Sequence, residues 1–215
     1  MNTDNITVNT QSSIRIAGSK ILYFDPQSLK EEAHDADMVF ITHEHWDHFD
    51  PNEVRKIVKA GTVIFAPATM EDKVREALPS VEEFVFIDAD REAGSLIEVC
   101  EGITLQPIRS YNVGKKFHAK ESGWLGYVVT MDGTSYFVAG DTDANEDNLK
   151  VRCDIALVPA GGTYTFTADE AASYVNRIKP EVAIPTHYGS VVGGHEAGDR
   201  FREMVNKDIK VVLKL

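Results

Sequence analysis

Short apolar segments recur along the whole chain, and turn-forming residues separate them. In the second half of the chain, these segments alternate with stretches of helical periodicity. Short segments rich in β-branched and aromatic residues are typical of β-strands. The alternation of strands with helices indicates the α/β class. The predicted strands are residues 13–17, 20–24, 38–41, 63–65, 84–87, 96–99, 103–108, 125–131, 135–138, 155–158, 182–184 and 209–213.

Three segments have the boundary residues of helices. Asp50 lies where a side-chain N-cap is needed, and Gly61 is expected just past the end of the helix that Asp50 begins. Thr167 and Glu170 have the spacing of a capping box, and their helix is expected to end before the next proline. A third helix is expected over residues 196–206, with apolar side chains on one face.

Two connections between strands are informative. Asp132-Gly133 predicts a tight hairpin turn, because glycine adopts positive φ without steric cost. The longest irregular stretch is residues 109–123, and a loop of that length in a compact domain is usually functional or mobile.

The composition is that of a globular protein. The chain has 215 residues, of which 43% are hydrophobic, and this length predicts one domain over residues 1–215. Asp and Glu number 34 against 22 Lys and Arg, so the formal net charge is −12. Proteins that bind nucleic acids or anionic membranes usually do so through clustered Lys and Arg. The charge balance therefore argues against both functions.

Cysteine usage and the first residues bear on the cellular compartment. Cys100 and Cys153 are far apart and belong to no CxxC pair, which favours neither a disulfide framework nor a cysteine-bound zinc. Residues 1–11 are polar, so no secretory signal is expected. No apolar run approaches the roughly 20 residues that span a bilayer. We therefore expect a cytoplasmic protein.

A dense group of histidine and carboxylate side chains follows the predicted strand 38–41. In an extended segment, residues two apart point to the same side, so His43 and His45 can bind one cation together. Asp47 and His48 follow as the chain turns, and they are directed toward a neighbouring position. Imidazole and carboxylate groups are ligands that zinc and similar divalent ions accept. The alternative is a histidine-rich surface turn, but the location between a strand and a helix favours a metal site.

Two further candidate ligands also follow predicted strands. Asp141 comes after the strand 135–138, and His187 comes after the strand 182–184. Strand ends hold side chains in fixed positions, as metal geometry requires. Taken alone, an Asp after a glycine is usually a turn former, and a lone His is usually held by local hydrogen bonds. Together with the first group, they predict a site for a pair of cations.

The sequence resembles the metallo-β-lactamase superfamily, specifically its branch of small metal-dependent hydrolases similar to ascorbate-6-phosphate lactonase. The resemblance rests on Tyr23-Phe24-Asp25-Pro26, the group from His43 to His48, Gly140-Asp141-Thr142-Asp143 and His187. It implies an αββα four-layer sandwich with a two-metal site at one edge of the paired sheets. The metals are expected to be two Zn²⁺ ions, with Mn²⁺ or Fe²⁺ as alternatives.

The resemblance also implies two sets of metal ligands that share the carboxylate of Asp141. The first set is His43 and His45, and the second is Asp47, His48 and His187.

The chain departs from the family pattern after the strand 103–108. Many relatives have a histidine there, whereas this chain has Arg109-Ser110-Tyr111-Asn112. The next histidine is His118, within the loop 109–123. His118 either completes the first metal site or acts on the substrate or in proton transfer. An exposed loop histidine is the remaining alternative.

Other side chains are expected to border the site without binding metal. Metal-bound imidazoles usually donate their second N–H to a carboxylate or a carbonyl group. Asp25, Thr42 and Asp143 are candidates for supporting the ligands in this way. Tyr164 and His195 lie in loops after predicted strands and are candidates for contact with substrate.

These residues predict a metal-dependent hydrolase acting on an ester-like bond, such as a phosphodiester or a lactone, with Asp47 orienting the attacking water. Lys115, Lys116 and Lys120 favour a small anionic substrate, although they suit a solvated surface equally well. A di-iron redox enzyme is a second hypothesis, but flavodiiron relatives have a glutamate where this chain has His45. A non-catalytic metal-binding protein is the third hypothesis.

Overall fold

Two β-sheets pack face to face, and helices cover both outer surfaces. The computed structural model describes all 215 residues, Met1–Leu215. The four layers run helix, sheet, sheet, helix, which confirms the predicted α/β class and the αββα sandwich.

The first sheet contains six strands, arranged in the order of the chain. They are β1 (Ile6–Thr10), β2 (Ser13–Ala17), β3 (Ile21–Phe24), β4 (Ala36–Phe40), β5 (Val58–Pro67) and β6 (Glu83–Ile87). β1, β2 and β3 are antiparallel, and β3 to β6 are parallel. The carboxyl ends of β3, β4, β5 and β6 therefore lie at one edge.

The second sheet contains seven strands, again in the order of the chain. They are β7 (Ile97–Cys100), β8 (Ile103–Arg109), β9 (Leu125–Met131), β10 (Thr134–Val138), β11 (Ile155–Pro159), β12 (Val182–Thr186) and β13 (Lys210–Val211). β7 to β10 are antiparallel, and β10 to β13 are parallel. Because β8 and β10 both run opposite to β9, their carboxyl ends lie at the same edge as those of β11 and β12.

Helices connect the strands and pack on the outer faces of the sheets. They are α1 (Pro51–Arg55), α2 (Glu71–Ala77), α3 (Ala89–Glu92), α4 (Ala168–Ile178) and α5 (Glu196–Met204). The predicted capping box begins α4, where Thr167 and Glu170 exchange side-chain and backbone hydrogen bonds. The longest helix, α4, has 11 residues, and no helix has the length and apolar composition needed to cross a membrane.

Three apolar clusters hold the layers together. The largest has 23 buried residues and lies between the two sheets, where Phe24, Phe40 and Phe65 stack at 4.8 and 4.7 Å between ring centroids. A cluster of 19 buried residues lies between the second sheet and α4 and α5. A cluster of 12 lies between the first sheet and α1 and α2. Burying a large apolar side chain contributes about 1.5–3 kcal/mol, so these clusters are the main source of stability.

The first helix differs from its prediction. Asp50 accepts a hydrogen bond from the Asn52 N–H as expected, but the helix ends at Arg55. Gly61 lies inside β5 with a φ of +78°, at an irregularity in the pairing of β4 with β5. The glycine therefore permits a bulge in a strand and does not end a helix.

The sheets are joined by hydrogen bonds near the carboxyl ends of their strands. The Tyr127 hydroxyl donates to the Ile41 carbonyl oxygen at 2.7 Å, and the Leu125 N–H donates to the Thr42 carbonyl oxygen at 3.1 Å. These contacts fix the end of β4 against the start of β9. Loops from both sheets therefore meet along this edge.

Candidate metal centre

The candidate site lies where strand ends from both sheets meet. Asp25 follows β3, His43 follows β4, Asp141 follows β10 and His187 follows β12. A strand fixes the backbone on one side of each residue, so the side chains are held in set directions. Asp25 and His187 have positive φ values of 43° and 55°, a conformation that non-glycine residues adopt only when surrounding structure maintains it.

Gly140 allows Asp141 to approach the first sheet closely. Its φ is +64°, in the left-handed region that favours glycine. A Cβ atom at this position would lie 3.0 Å from the Thr42 Cβ, closer than side-chain atoms pack. A larger residue at position 140 would therefore push Asp141 away from the loop that carries His43.

One group of nitrogen atoms lies beside the Oδ2 atom of Asp141. His43 Nε2 and His45 Nδ1 are 3.0 Å apart, and His118 Nε2 is 3.3 Å from His45 Nδ1. Asp141 Oδ2 lies 3.3 Å from His118 Nε2 and 4.0 Å from His43 Nε2. The three imidazoles thus present converging nitrogen atoms to one small volume.

A second group lies beside the other oxygen of the same carboxylate. His48 Nε2 and His187 Nε2 are each 3.3 Å from Asp141 Oδ1. Asp47 Oδ2 is 3.4 Å from His187 Nε2 and 3.8 Å from His48 Nε2. Asp141 therefore presents one oxygen to each group, which is the arrangement of a bridging ligand.

The donor atoms fit two bound metal ions. A metal–nitrogen distance of about 2.0–2.1 Å with tetrahedral angles separates neighbouring ligand atoms by roughly 3.3 Å. The separations given above for the two groups run from 3.0 to 4.0 Å, and four of them are 3.3 Å. In addition, His48 Nε2 and Asp141 Oδ1 are buried without a hydrogen-bond partner. Buried polar atoms are rarely left without a partner, so these two atoms indicate a ligand that lies between them.

Asp25 and Thr42 hold two of the imidazoles in place. The Asp25 carboxylate accepts a hydrogen bond from His48 Nδ1–H at 2.7 Å and bonds from the Thr42 hydroxyl and N–H at 2.6 and 2.8 Å. The Thr42 hydroxyl oxygen lies 3.0 Å from His43 Nδ1. These contacts direct the Nε2 atoms of His43 and His48 toward the candidate site, and a supporting role for Asp25 and Thr42 stays a prediction.

The long loop after β8 returns His118 to the site. His118 is buried, and its Nδ1 atom lies 3.2 Å from the Tyr164 carbonyl oxygen and 3.2 Å from Asn112 Nδ2. Its φ of +60° marks a local turn in the loop. Of the alternatives that the sequence left open, an exposed loop histidine is wrong. The position of Nε2 beside His45 and Asp141 suits a metal ligand.

Asp143 does not support an imidazole. Its carboxylate Oδ1 pairs with Lys115 Nζ at 2.6 Å and makes no hydrogen bond to a site histidine. Lys115 also donates to the Thr165 carbonyl oxygen at 2.7 Å, so the ion pair ties the His118 loop to the loop after β11. The sequence pattern placed Asp143 correctly after β10 but could not show which side its carboxylate faces.

The electrostatics of the site favour positive charge between its carboxylates. Burial lowers the pKa of His43 well below its usual value, which keeps the imidazole in the neutral form that binds metal. Burial acts to lower the pKa of His48 too, but Asp141 and Asp25 outweigh it and raise that pKa well above its usual value. Burial acts to raise the pKa of Asp141, but the neighbouring His187 and His48 outweigh it and hold the pKa well below its usual value.

Both donor groups border one cavity of about 260 Å³. Tyr164 lines this cavity, and its contact with substrate stays a prediction. His195 does not line it; this residue is exposed just before α5 and lies against Gly189. The lining residues are His45, Trp46, Asp47, Phe117, His118, Asp141, Tyr164, His187, Val191 and Val192.

Sequence reasoning missed several aromatic residues of the site. The Trp124 ring packs 4.8 Å from the His43 ring and 4.9 Å from the His45 ring, between centroids. Trp46 and Phe117 line the cavity. Each of the latter two is adjacent in the chain to a predicted ligand, and this adjacency was the available signal.

Comparison with known proteins identifies the family. A model of the beta-lactamase superfamily domain matches residues 4–188. The chain belongs to the beta-lactamase superfamily. Within this superfamily, it is 31% identical over 220 residues to a UPF0173 metal-dependent hydrolase from Nitratidesulfovibrio vulgaris, covering 93% of this chain and 86% of that protein. This similarity places the chain in the UPF0173 metal-dependent hydrolase family.

An archaeal relative and a solved structure extend this comparison. A UPF0173 metal-dependent hydrolase from Pyrococcus abyssi is 27% identical over 212 residues, covering 92% of this chain and 90% of that protein. The structure of Igni18, a metallo hydrolase from Ignicoccus hospitalis, matches with a TM-score of 0.75 at 19% identity, covering 97% of this chain and 93% of that one. The latter similarity shows that the two proteins share the superfamily fold.

Proposed function

We propose that this protein is a two-metal hydrolase that cleaves an ester-like bond, a phosphodiester or a lactone, in a small molecule. The observation that carries the proposal is the placement of Asp141, whose two oxygens face separate groups of donor atoms. Both groups border the same cavity, so a substrate in that cavity can reach the space between them. The metal-dependent hydrolases in the same family support this reaction class.

We propose His43, His45 and His118 as ligands of one metal, and Asp141 as the bridging ligand. Asp47, His48 and His187 would hold the second metal. Three imidazoles beside one carboxylate oxygen form a nitrogen-rich set, which suits zinc better than magnesium or calcium. His45 occupies the position at which flavodiiron relatives have a glutamate, and it therefore favours hydrolysis over oxygen chemistry.

Two bound divalent cations would lower the pKa of a coordinated water and polarise the carbonyl or phosphoryl oxygen of the substrate. Asp47 is the proposed residue that orients the attacking water, since its carboxylate lines the cavity. Burial acts to raise the pKa of Asp47, but the neighbouring His187 and His48 outweigh it and lower that pKa. Asp47 therefore remains ionised at neutral pH and can accept a hydrogen bond from a water molecule.

Lactones are included among the test substrates because the sequence resembles ascorbate-6-phosphate lactonase. Phosphodiesters are included because the proposed site would hold two metals. The lysines of the loop 109–123 were predicted to favour an anionic substrate, and the contacts of Lys115 and Lys120 give this prediction little support. Lys115 pairs with Asp143, and Lys120 pairs with Glu146 at 2.6 Å. Any negative charge on the substrate is therefore expected at the reacting group, beside the metals.

The proposal is tested with metal-loaded protein and two site variants, His48→Ala and Asp141→Asn. Metal content is measured by elemental analysis, and hydrolysis is measured on panels of phosphodiesters and lactones. We expect close to two metal ions per chain in the parent protein. In both variants, we expect hydrolytic activity to fall by more than the roughly 100-fold that is typical when a residue supporting a metal ligand is replaced. His34→Ala is the control, because His34 is exposed and remote from the site.

Three outcomes would contradict the proposal. Variants that hydrolyse the panel as well as the parent would show that the site does not carry the reaction. Oxygen consumption by iron-loaded protein without hydrolysis would identify a redox enzyme. Less than one metal per chain with no turnover on any substrate would indicate a non-catalytic metal-binding protein.

A further inference from the structure

We infer that the substrate carries an apolar group next to the scissile bond, and that Trp46, Phe117 and Tyr164 bind this group. The inference rests on the proposed function, since it assigns the substrate class of the same site. It adds a specificity surface made of residues that have no part in holding metal.

The first observation is that the cavity-lining residues fall into two sets, the proposed metal ligands and the apolar side chains. Every charged or imidazole side chain that lines the cavity is one of the proposed metal ligands; these are His45, Asp47, His118, Asp141 and His187. The other five lining residues are Trp46, Phe117, Tyr164, Val191 and Val192. Apart from the Tyr164 hydroxyl and the Trp46 indole N–H, no polar side-chain group of the cavity remains free to recognise the body of the substrate.

The second observation is the exposure of the apolar residues. Trp46 is 65% exposed, Phe117 43%, Tyr164 39% and Val191 49%, and all four line this one cavity. Large apolar side chains that are exposed together, at the mouth of a cavity with convergent polar groups, usually mark a ligand-binding site. We call Trp46, Phe117, Tyr164 and Val191 the apolar rim.

The rim is fixed to the candidate metal centre by the loops that carry it. Phe117 immediately precedes His118, and its ring meets the Tyr164 ring edge to face, with 5.1 Å between centroids and 86° between planes. The Tyr164 carbonyl oxygen accepts hydrogen bonds from the Asn112 side chain and lies 3.2 Å from His118 Nδ1. A group packed against these rings is therefore held at a set distance from the proposed ligands.

The charged residues of the neighbouring loop do not contribute to the cavity. No Lys or Arg side chain lines it. Lys115 is engaged by Asp143 and by the Thr165 carbonyl oxygen, and the Lys116 ammonium lies 5.5 Å from the Phe117 ring centre. Recognition away from the reacting group is therefore apolar, which disfavours sugar phosphates and other highly polar substrates.

The size of the cavity limits the apolar group. A volume of about 260 Å³ lies slightly below the range of roughly 300–1,000 Å³ that is usual for sites of drug-sized ligands. The occupant is thus a small molecule whose apolar part is an aromatic ring or a short acyl chain.

Phenylphosphonate and methylphosphonate test the inference, because both carry the same anionic group and differ only in the apolar part. Their affinities for zinc-loaded protein are measured by isothermal titration calorimetry. We expect phenylphosphonate to bind at least about tenfold more tightly, since an aromatic group packs against the rim. The ratio is expected to fall to about threefold or less in Phe117→Ala.

Met204→Ala is the matched control, because Met204 is also apolar and 42% exposed but does not line the cavity. It is expected to keep the parent ratio of affinities. Circular dichroism of each variant confirms that the fold is intact. Phe117→Leu, which keeps an apolar side chain, is expected to give an intermediate ratio.

A second measurement separates this inference from the proposed function. Saturation-transfer NMR on metal-free protein should show transfer to the phenyl protons in the parent and none in Phe117→Ala. Tighter binding of phenylphosphonate than of methylphosphonate, by a protein that hydrolyses none of the panel, would support the apolar rim and overturn the proposed hydrolase function. Equal affinities for the two phosphonates in a protein that does hydrolyse the panel would overturn the rim. Self-association that is lost in Phe117→Ala would show that a second copy covers the rim, and would also overturn the inference.

Discussion

His48 Nε2 lies 3.3 Å from Asp141 Oδ1, and both atoms are buried without a hydrogen-bond partner. A buried polar atom without a partner costs about 1–3 kcal/mol. A cation bound between the two atoms would remove this cost only in the folded protein. Metal binding is therefore expected to stabilise the fold as well as to create the reactive centre.

Zinc should raise the melting temperature of the protein. At a free zinc concentration 100-fold above Kd, binding to the native state alone adds about 2.7 kcal/mol. For a chain of this size, this corresponds to roughly 5–10 °C at about 2–4 °C per kcal/mol. Differential scanning calorimetry with zinc and with a chelator measures the shift. His34→Ala should keep the full shift and His48→Ala, which lacks one ligand of the second metal, should lose part of it, whereas equal shifts in the two variants would place the stabilising zinc elsewhere.

Replacing Asp25 with Asn should weaken metal binding although Asp25 is not a proposed ligand. Asn can still accept from Thr42 but cannot supply the carboxylate that faces His48 Nδ1 at 2.7 Å. Loss of such support typically costs about 10–100-fold in metal affinity or activity. Competition with a chromophoric chelator measures the affinity. Asp143→Asn is the matched control, since Asp143 pairs with Lys115, and a larger loss there than in Asp25→Asn would contradict the assignment.

Cys153 should resist alkylation in the folded protein. The residue is half-buried, and desolvation of its thiol raises the pKa to about 12. The thiolate is the reactive form, and with this pKa only about one thiol in a thousand is ionised at pH 9. Mass spectrometry of Cys100→Ser protein treated with iodoacetamide at pH 9 isolates the reaction of Cys153. Labelling should be slow in buffer and fast in urea; equal rates in the two conditions would contradict the raised pKa of the thiol.

Stability at high pH should depend on Tyr23. Its hydroxyl donates to Asp35 at 2.8 Å, and burial together with Asp35 raises its pKa to about 12. An unfolded tyrosine has a pKa of about 10, so the folded state binds the proton more tightly and its advantage disappears as the pH rises from 10 to 12. Solvent screens part of this effect, which leaves about 1 kcal/mol.

Urea unfolding at pH 9 and at pH 11 measures this contribution. The loss of stability between the two pH values should be smaller in Tyr23→Phe, which has no hydroxyl to ionise. Tyr111→Phe, which removes from another buried tyrosine a hydroxyl that donates to Asp147 at 3.3 Å, is the comparison. A pH-dependent loss that is unchanged in Tyr23→Phe would show that other groups cause it.

The sequence predicted most of the second sheet because its strands are continuous apolar runs. The strand at Leu125–Met131 was predicted with its observed bounds, and the hairpin at Asp132-Gly133 has the expected positive φ values of 53° and 74°. β1 was missed because residues 1–11 are mostly polar and only alternate side chains, such as Ile6 and Val8, are buried. An edge strand buries one face only, so its apolar signal is short.

The candidate site was predictable where ligands directly follow strands, and less so where loops carry them. The residues from His43 to His48 have a fixed spacing, and the strand before them and the helix after them fix the positions of their side chains. The place of His118 depends on a loop of ten irregular residues, 110–119, whose path is set by contacts with Tyr164 and Asn112. The partner of Asp143 likewise depends on Lys115, 28 positions away in the chain.

The residues of the apolar rim lie in four different loops, and none of them belongs to a strand of either sheet. Trp46 and Val191 can change without altering a backbone hydrogen bond of the sandwich. Substitutions at such positions can change the specificity of an ancestral scaffold while its strands and its proposed ligands are kept. Directed evolution confined to those two positions should therefore yield variants with altered substrate preference and undiminished thermal tolerance.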